Sequence, residues 1–339
     1  MQKVLVLGAG GFVGSHLVTA LSLAEGLVPI AGLRRAGAGN PSVAMRVCDA
    51  TDNLSVKRAL AGIDCVVNCV GGSPATMLRA TENICHIGRI SGLRRIVHIS
   101  SMAVYGDATG EVDEDRPLPR PGSPYAHAKH ASELAVRDYV RAGGDAVILR
   151  PGCVHGPGSD QWTARIGRLL ASRRIGDLGA AGDGICNLTY IDDLVAAIIA
   201  ALHRPQLAGQ VYNIADPEPR TWNRYFVQFG RLIGATPIRR IPEWRLTMER
   251  VVLAPALRSL GIFLRGGVPD PITPSLLRLW RQDVRLLPDR ADAVLGFPRV
   301  APKAALAEAA AWWRAERSSI RTLARPAGRL IQTVARDAD

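Results

Sequence analysis

Lysine is scarce in this chain: of 42 basic residues only Lys3, Lys57, Lys129 and Lys303 are lysines, and the rest are arginines. A lysine at a chemically useful position therefore stands out. Long apolar runs are missing as well. The best, Leu194–Leu202, is about half the length a membrane span needs and follows Asp192 and Asp193. The N-terminus reads straight into a strand-like run, Lys3–Leu7, with no A-x-A cleavage signal. These absences argue against a secreted or membrane-spanning protein, and a cytoplasmic one is expected. Paired cysteines are also lacking. Cys48, Cys65, Cys69, Cys85, Cys153 and Cys186 fall singly, without Cys-x-x-Cys or flanking histidine spacing. That pattern encodes neither a disulfide framework nor a metal site, and reduced, buried thiols are expected.

What is present is an ordinary globular composition, 47% hydrophobic and 21% charged, over 339 residues. Wholesale disorder is excluded, and the length suits one large α/β unit or two smaller ones. The net charge of +12 is uneven. Residues 1–219 are nearly balanced, whereas residues 220–339 hold 21 Lys+Arg against 10 Asp+Glu.

The first 150 residues alternate β-rich runs with helical stretches. Strands are expected at Val4–Leu7, Val28–Leu33, Val43–Cys48, Cys65–Cys69, Ile96–Ile99 and Ala146–Leu149, with helices near 12–24, 53–61, 75–91 and 124–142. Continuous apolar strands separated by helices imply a parallel sheet covered on both faces, the doubly wound α/β fold, with ligands beyond the strand carboxyl ends. A helix at 161–172, a turn-rich segment at 176–184, a strand-like run Leu188–Ile191, a helix from Asp192 and a last strand Val211–Ile214 follow. From 220 the pattern is helical, basic and broken by prolines. The expected division is a nucleotide-binding domain over 1–150 to which 186–215 returns. A smaller, mostly helical substrate part covers 151–185 and 216–325, and 326–339 forms a flexible tail.

Gly8-Ala-Gly-Gly11-Phe12-Val13-Gly14 follows the first strand and opens a helix. Gly8 permits the tight turn, Gly11 lets the backbone approach a pyrophosphate at the helix N-terminus, and Gly14 lets that helix pack close. At the end of the second strand, Arg34-Arg35 stands where an NAD-selective site usually carries an acid. Two guanidiniums suit a 2′-phosphate, so NADP(H) is expected over NAD(H). Asp49, with Ala50 beside it, is placed for the adenine. Further on, Ser100-Ser101 ends the fifth strand, and Ser123-Pro-Tyr125-Ala-His-Ala-Lys129 opens a helix. Tyr125 and Lys129 share one helical face, one turn apart. An ammonium near a phenol, with an oxidised nicotinamide nearby, favours the phenolate, which predicts a depressed Tyr125 pKa and an acid/base for a substrate hydroxyl or carbonyl. Ser101 is expected to hydrogen-bond the same oxygen.

With these residues the chain resembles the extended short-chain dehydrogenase/reductases, the NAD(P)-dependent epimerase/dehydratase family. The likeness runs through 8–14, Ser100–Gly106, Pro124–Lys129, Leu149–Gly158, Tyr190–Asp193, Tyr212-Asn213 and Leu295–Pro298. It implies a Rossmann sheet, catalytic roles for Ser101, Tyr125 and Lys129, and pairing of two copies through the helices near 75–91 and 124–142. Departures narrow the reaction. Met102 and Ala103 stand where 4,6-dehydratases of the family carry Asp-Glu, so that dehydration is not expected. Cys153 and Met77 replace asparagines seen in sugar-nucleotide members, with Arg165 and Arg168 as alternative diphosphate contacts.

The leading expectation is an oxidoreductase or epimerase acting on a secondary alcohol or ketone of a nucleotide-activated sugar. A dehydrogenase of a hydrophobic, steroid-like or lipid-linked hydroxyl compound is the first alternative, and a non-catalytic NADP-binding sensor the second. The partner is a small molecule, and no nucleic-acid motif is present. The basic, apolar stretch Trp244–Leu264 reads as a lid on the cofactor domain, with peripheral membrane contact as the other reading.

Overall fold

The computed structural model describes residues 1–35, 42–253 and 270–323. Seven parallel strands form its central sheet: β1 (Gln2–Leu7), β2 (Leu27–Leu33), β3 (Ala44–Val47), β4 (Cys65–Asn68), β5 (Arg95–Ile99), β7 (Ala146–Pro151) and β10 (Val211–Ile214). Their order is β10-β7-β5-β4-β1-β2-β3. The chain reverses direction across the sheet between β1 and β4, the crevice where doubly wound folds bind ligands. The strands are buried over almost their whole length, apart from the edge strand β3. This is why they read as unbroken apolar runs.

Helices cover both faces. On one side α1 (Phe12–Leu21) and α6 (Ile191–His203) pack Leu17, Val18, Leu194 and Ile198 against Val4, Val6, Val67 and Val97. On the other lie α2 (Asn53–Leu60), α3 (Pro74–Ser91) and α4 (Pro124–Arg141), burying Val56, Ile84 and Val136. The last two start alike. Ser73 and Ser123 accept hydrogen bonds from the N–H groups of Thr76 and Ala126, each at 3.1 Å, and a proline sits at the first helical position. A hydroxyl cap ahead of a proline with preset φ is a strong start signal.

The remainder forms a second core rich in large rings. It packs Trp222, Tyr225, Phe226 and Phe229 of α7 (Trp222–Leu232) against Trp280 of α9 (Pro274–Arg281). Here three short strands fall outside the expected pattern. β6 (Gly110–Val112) pairs with β11 (Val284–Leu286), and β8 (Cys153–His155) pairs with β9 (Leu188–Tyr190), both parallel. The helix expected over 161–172 begins instead as a wide turn at Asp160–Ala164 before α5 (Arg165–Ala171). From the C-terminal part, Ala291, Leu295 and Ala305 join the cluster beneath α1 and α6. The expected tail at 326–339 lies outside the described residues.

Candidate active site

The site is built at the carboxyl ends of β1, β4 and β5. Gly8 has φ +84°, and a Cβ there would lie 2.6 Å from the Cys69 carbonyl oxygen. A Cβ on Gly14 would lie 2.3 Å from the Gly8 oxygen. Both contacts are with backbone and cannot be relieved by a rotamer change. Gly11 caps α1 without a side chain. The first N–H groups of that helix, at Phe12, Val13 and Gly14, are thus left for an anion, with the helix dipole behind them. Phe12 and Val13 are half-buried.

Arg34 and Arg35 emerge exposed from β2. Asp49 stands at the neighbouring strand end. Its carboxyl is held below the usual range by the Thr51 N–H (2.9 Å) and hydroxyl (2.7 Å), with the nearby charge of Arg34 acting in the same direction. Ala50 is buried, and its carbonyl accepts a bond from Asn83 Nδ2 at 3.0 Å. The glycine cradle, the uncapped helix end and the two arginines fit a dinucleotide.

Ser101, Tyr125 and Lys129 come together beyond β5. Ser101 Oγ accepts a bond from the Ala103 N–H at 3.2 Å and meets the Tyr125 phenol. Lys129 is buried, and its ammonium donates to the Ile99 carbonyl at 2.7 Å. Burial lowers its pKa to about 8, partly opposed by Cys69 and Glu133.

Tyr125 is 43% exposed; desolvation of its phenol nevertheless outweighs the Ser101 bond and raises the pKa, opposite in direction to the shift expected with Lys129 and an oxidised nicotinamide beside it. Lys129 does not depress it in this arrangement. The helical spacing brings the two residues onto one face as expected, but the ammonium is drawn to the end of β5 rather than to the phenol.

Behind this trio lies a buried polar network that joins Ser100, expected to be structural, to residues with no assigned role. Glu133, one turn beyond Lys129, accepts from Ser100 Oγ (2.6 Å) and takes a two-pronged bond from Arg150 (2.9 and 2.7 Å). Arg150 also donates to the Tyr105 hydroxyl at 2.9 Å, which donates to Asn213 Oδ1 at 2.7 Å. Both Glu133 and Arg150 are fully buried. The available signal was Arg150 at the end of the otherwise apolar β7; Glu133 lies among the other charged residues of α4. Ser100 is thus tied into the framework.

On the substrate side, Met102 and Cys153 are buried, and burial pushes the Cys153 thiol well up. Met77 lies on the inner face of α3. The two arginines expected as diphosphate contacts are otherwise engaged. Arg168 pairs with Asp270 (2.6 and 3.1 Å) and Asp160 (3.0 Å), and Arg165 donates to the Pro271 carbonyl at 2.5 Å. They secure residues 270–271. Among the described residues no cluster of three His, Cys, Asp or Glu side chains could hold a metal ion, and no helix is long and apolar enough to cross a membrane.

Known proteins resemble this chain. UDP-glucose 4-epimerase of Vibrio cholerae is 25% identical over 232 residues, covering 63% of this chain and 71% of that protein. The 3-beta-hydroxysteroid dehydrogenase of Mycolicibacterium neoaurum is 25% identical over 303 residues, covering 81% of each. Among solved structures, MoeE5 in complex with UDP-glucose and NAD superimposes with a TM-score of 0.69 at 26% identity, covering 94% of this chain and 99% of that one. Residues 4–215 match the NAD dependent epimerase/dehydratase family, and the chain belongs to that family.

Proposed function

We propose that this protein is an NAD(P)-dependent oxidoreductase that interconverts a secondary alcohol and its ketone through Ser101, Tyr125 and Lys129. The observation that carries the reading is the Tyr125 phenol against Ser101, with a buried ammonium one turn along the same helix. Tyr125 gives a proton to the carbonyl oxygen or takes it from the hydroxyl, and Ser101 orients that oxygen. Lys129 is positioned to hold the ribose of the cofactor. The cofactor supplies or accepts the hydride. Met102 and Ala103 carry no transferable proton, so the reading excludes 4,6-dehydration.

For the substrate, the engaged Arg165 and Arg168 and the buried Cys153 thiol favour an apolar hydroxyl or keto compound over a nucleotide-activated sugar. The second reading keeps the sugar nucleotide, on the likeness to MoeE5 and to the Vibrio epimerase. Thermal shift with a hydroxysteroid, a long-chain ketone, UDP-glucose and UDP-glucuronic acid, each with cofactor, separates them. A ligand at a hundred times its Kd stabilises by about 2.7 kcal/mol. Stabilisation and turnover by the apolar compounds are expected, and a response to the UDP-sugars alone would reverse the substrate assignment.

Cofactor choice is tested at β2. The two guanidiniums are proposed to grip a 2′-phosphate, and hydrogen bonds between charged groups contribute about 1.5–3 kcal/mol each. Replacing Arg34 and Arg35 with Ala should weaken NADPH binding roughly a hundred- to ten-thousand-fold and leave NADH binding within a factor of about two. Wild-type protein that binds NADH as tightly as NADPH would refute this role.

A further inference from the structure

The segment that runs from α8 (Glu243–Met248) through the wide turn Glu249–Leu253 is amphipathic in the opposite sense to a surface helix folded only on its own chain. Its inner side holds Leu246 and a buried carboxylate, Glu249, gripped by Arg174 at 2.8 and 2.5 Å. Its outer side carries Trp244, 68% exposed, with Met248, Val251, Val252 and Leu253 also exposed. Positions 244, 248, 251 and 252 recur at helical spacing, so they form one stripe rather than scattered contacts. A contiguous exposed apolar stripe marks an interaction surface.

The charge around the stripe says what it meets. Arg245 on the helix, Arg239 on its approach and Arg278 one turn before Arg281 on α9 are all exposed, and none forms an ion pair among the described residues. Three of the nearby acids are already matched: Glu243 with Arg281 at 2.9 Å, Asp177 with Arg240 at 3.0 Å and Glu249 with Arg174. The surplus is positive, as it is across residues 220–339.

We propose that this face seats on an anionic phospholipid surface. Trp244 lies at the headgroup level, Met248, Val251, Val252 and Leu253 enter the acyl boundary, and the three arginines meet lipid phosphates. Two-fold pairing of the stripe with a second copy would bring the same unpaired arginines against one another, which opposes that occupant. The inference is independent of the catalytic reading, because it uses none of the residues of the active site.

The test is co-sedimentation of the full chain with phosphatidylcholine vesicles and with mixed phosphatidylcholine/phosphatidylglycerol vesicles. Binding to the mixed vesicles, weakened by salt and absent with phosphatidylcholine alone, is expected. A blue shift of tryptophan emission on binding should be lost in Trp244→Phe. Trp244→Ala with Val251→Ser should lower vesicle affinity at least about tenfold, with unchanged Tm because both residues are exposed. Arg245→Glu with Arg278→Glu should do the same through charge. Three results would overturn the proposal. One is no binding to mixed vesicles, and another is a Trp244 already shielded from aqueous quencher by its own chain. The third is a concentration-dependent dimer that Trp244→Ala dissolves.

Discussion

Tyr125→Phe is expected to lower turnover by about two to four orders of magnitude, the usual contribution of a positioned acid/base, while cofactor affinity stays within about twofold. Only the hydroxyl that meets Ser101 is removed, from a residue that is 43% exposed. Lys129→Met should differ in kind, losing turnover and cofactor affinity together. Lys129→Arg should fail in the same way, because a planar fork cannot occupy the compact buried site from which the ammonium reaches Ile99 O. There is a matching pH signature. Burial lowers the Lys129 pKa to about 8, so the free enzyme loses this charge as pH rises through that value. kcat/KM for the cofactor should therefore fall on the alkaline side with a limb near pH 8, and Lys129→Met should lack the limb. The sign for stability is the reverse: a lysine whose folded pKa lies below its unfolded value makes the fold more stable as pH rises between the two. A Tyr125→Phe enzyme with most of its activity would remove the assigned mechanism.

The parts of this site that could be read from sequence are the parts held within one local element. Gly8, Gly11 and Gly14 lie in one turn and helix start, and Tyr125 and Lys129 lie in one helical turn, so spacing alone brings them together. Six of the seven sheet strands were legible for a related reason: strands covered on both faces are largely apolar along their length, whereas the edge strand β3 is mostly exposed. By contrast β6, β8 and β11 are three residues each, too short to show a period. β6 pairs with β11 across more than half the chain. The Tyr125 shift could not be read either, since desolvation depends on everything that folds around the phenol. The engagement of Arg168 with Asp270, 102 positions away, is likewise a property of the tertiary fold. The outward stripe at Trp244 illustrates the same limit. Its mixture of apolar residues and arginines was visible, but which face turns inward depends on where Glu249 meets Arg174.

The second large effect is expected at the Glu133–Arg150 pair. Both side chains are fully buried, and burial opposes the Arg150 charge, yet its bonds to Glu133 and Tyr105 hold the guanidinium pKa above its ordinary value. The pair joins α4 to β7 directly, and through Ser100 to the end of β5. It thereby fixes the helix that carries Tyr125 and Lys129 against the strands that end at the cofactor cleft. Removing one partner strands the other charge in a dry interior, a loss of about 3–5 kcal/mol. Glu133→Gln and Arg150→Met should each lower the urea midpoint by that equivalent with an unchanged slope. The double variant separates a stranded charge from lost packing. If the penalty is the unpaired charge, Glu133→Gln/Arg150→Met should be less destabilised than the sum of the single variants by at least about 1 kcal/mol. Strict additivity would mean that the two residues act separately, and that the ionic contact between them is not what holds α4 in place.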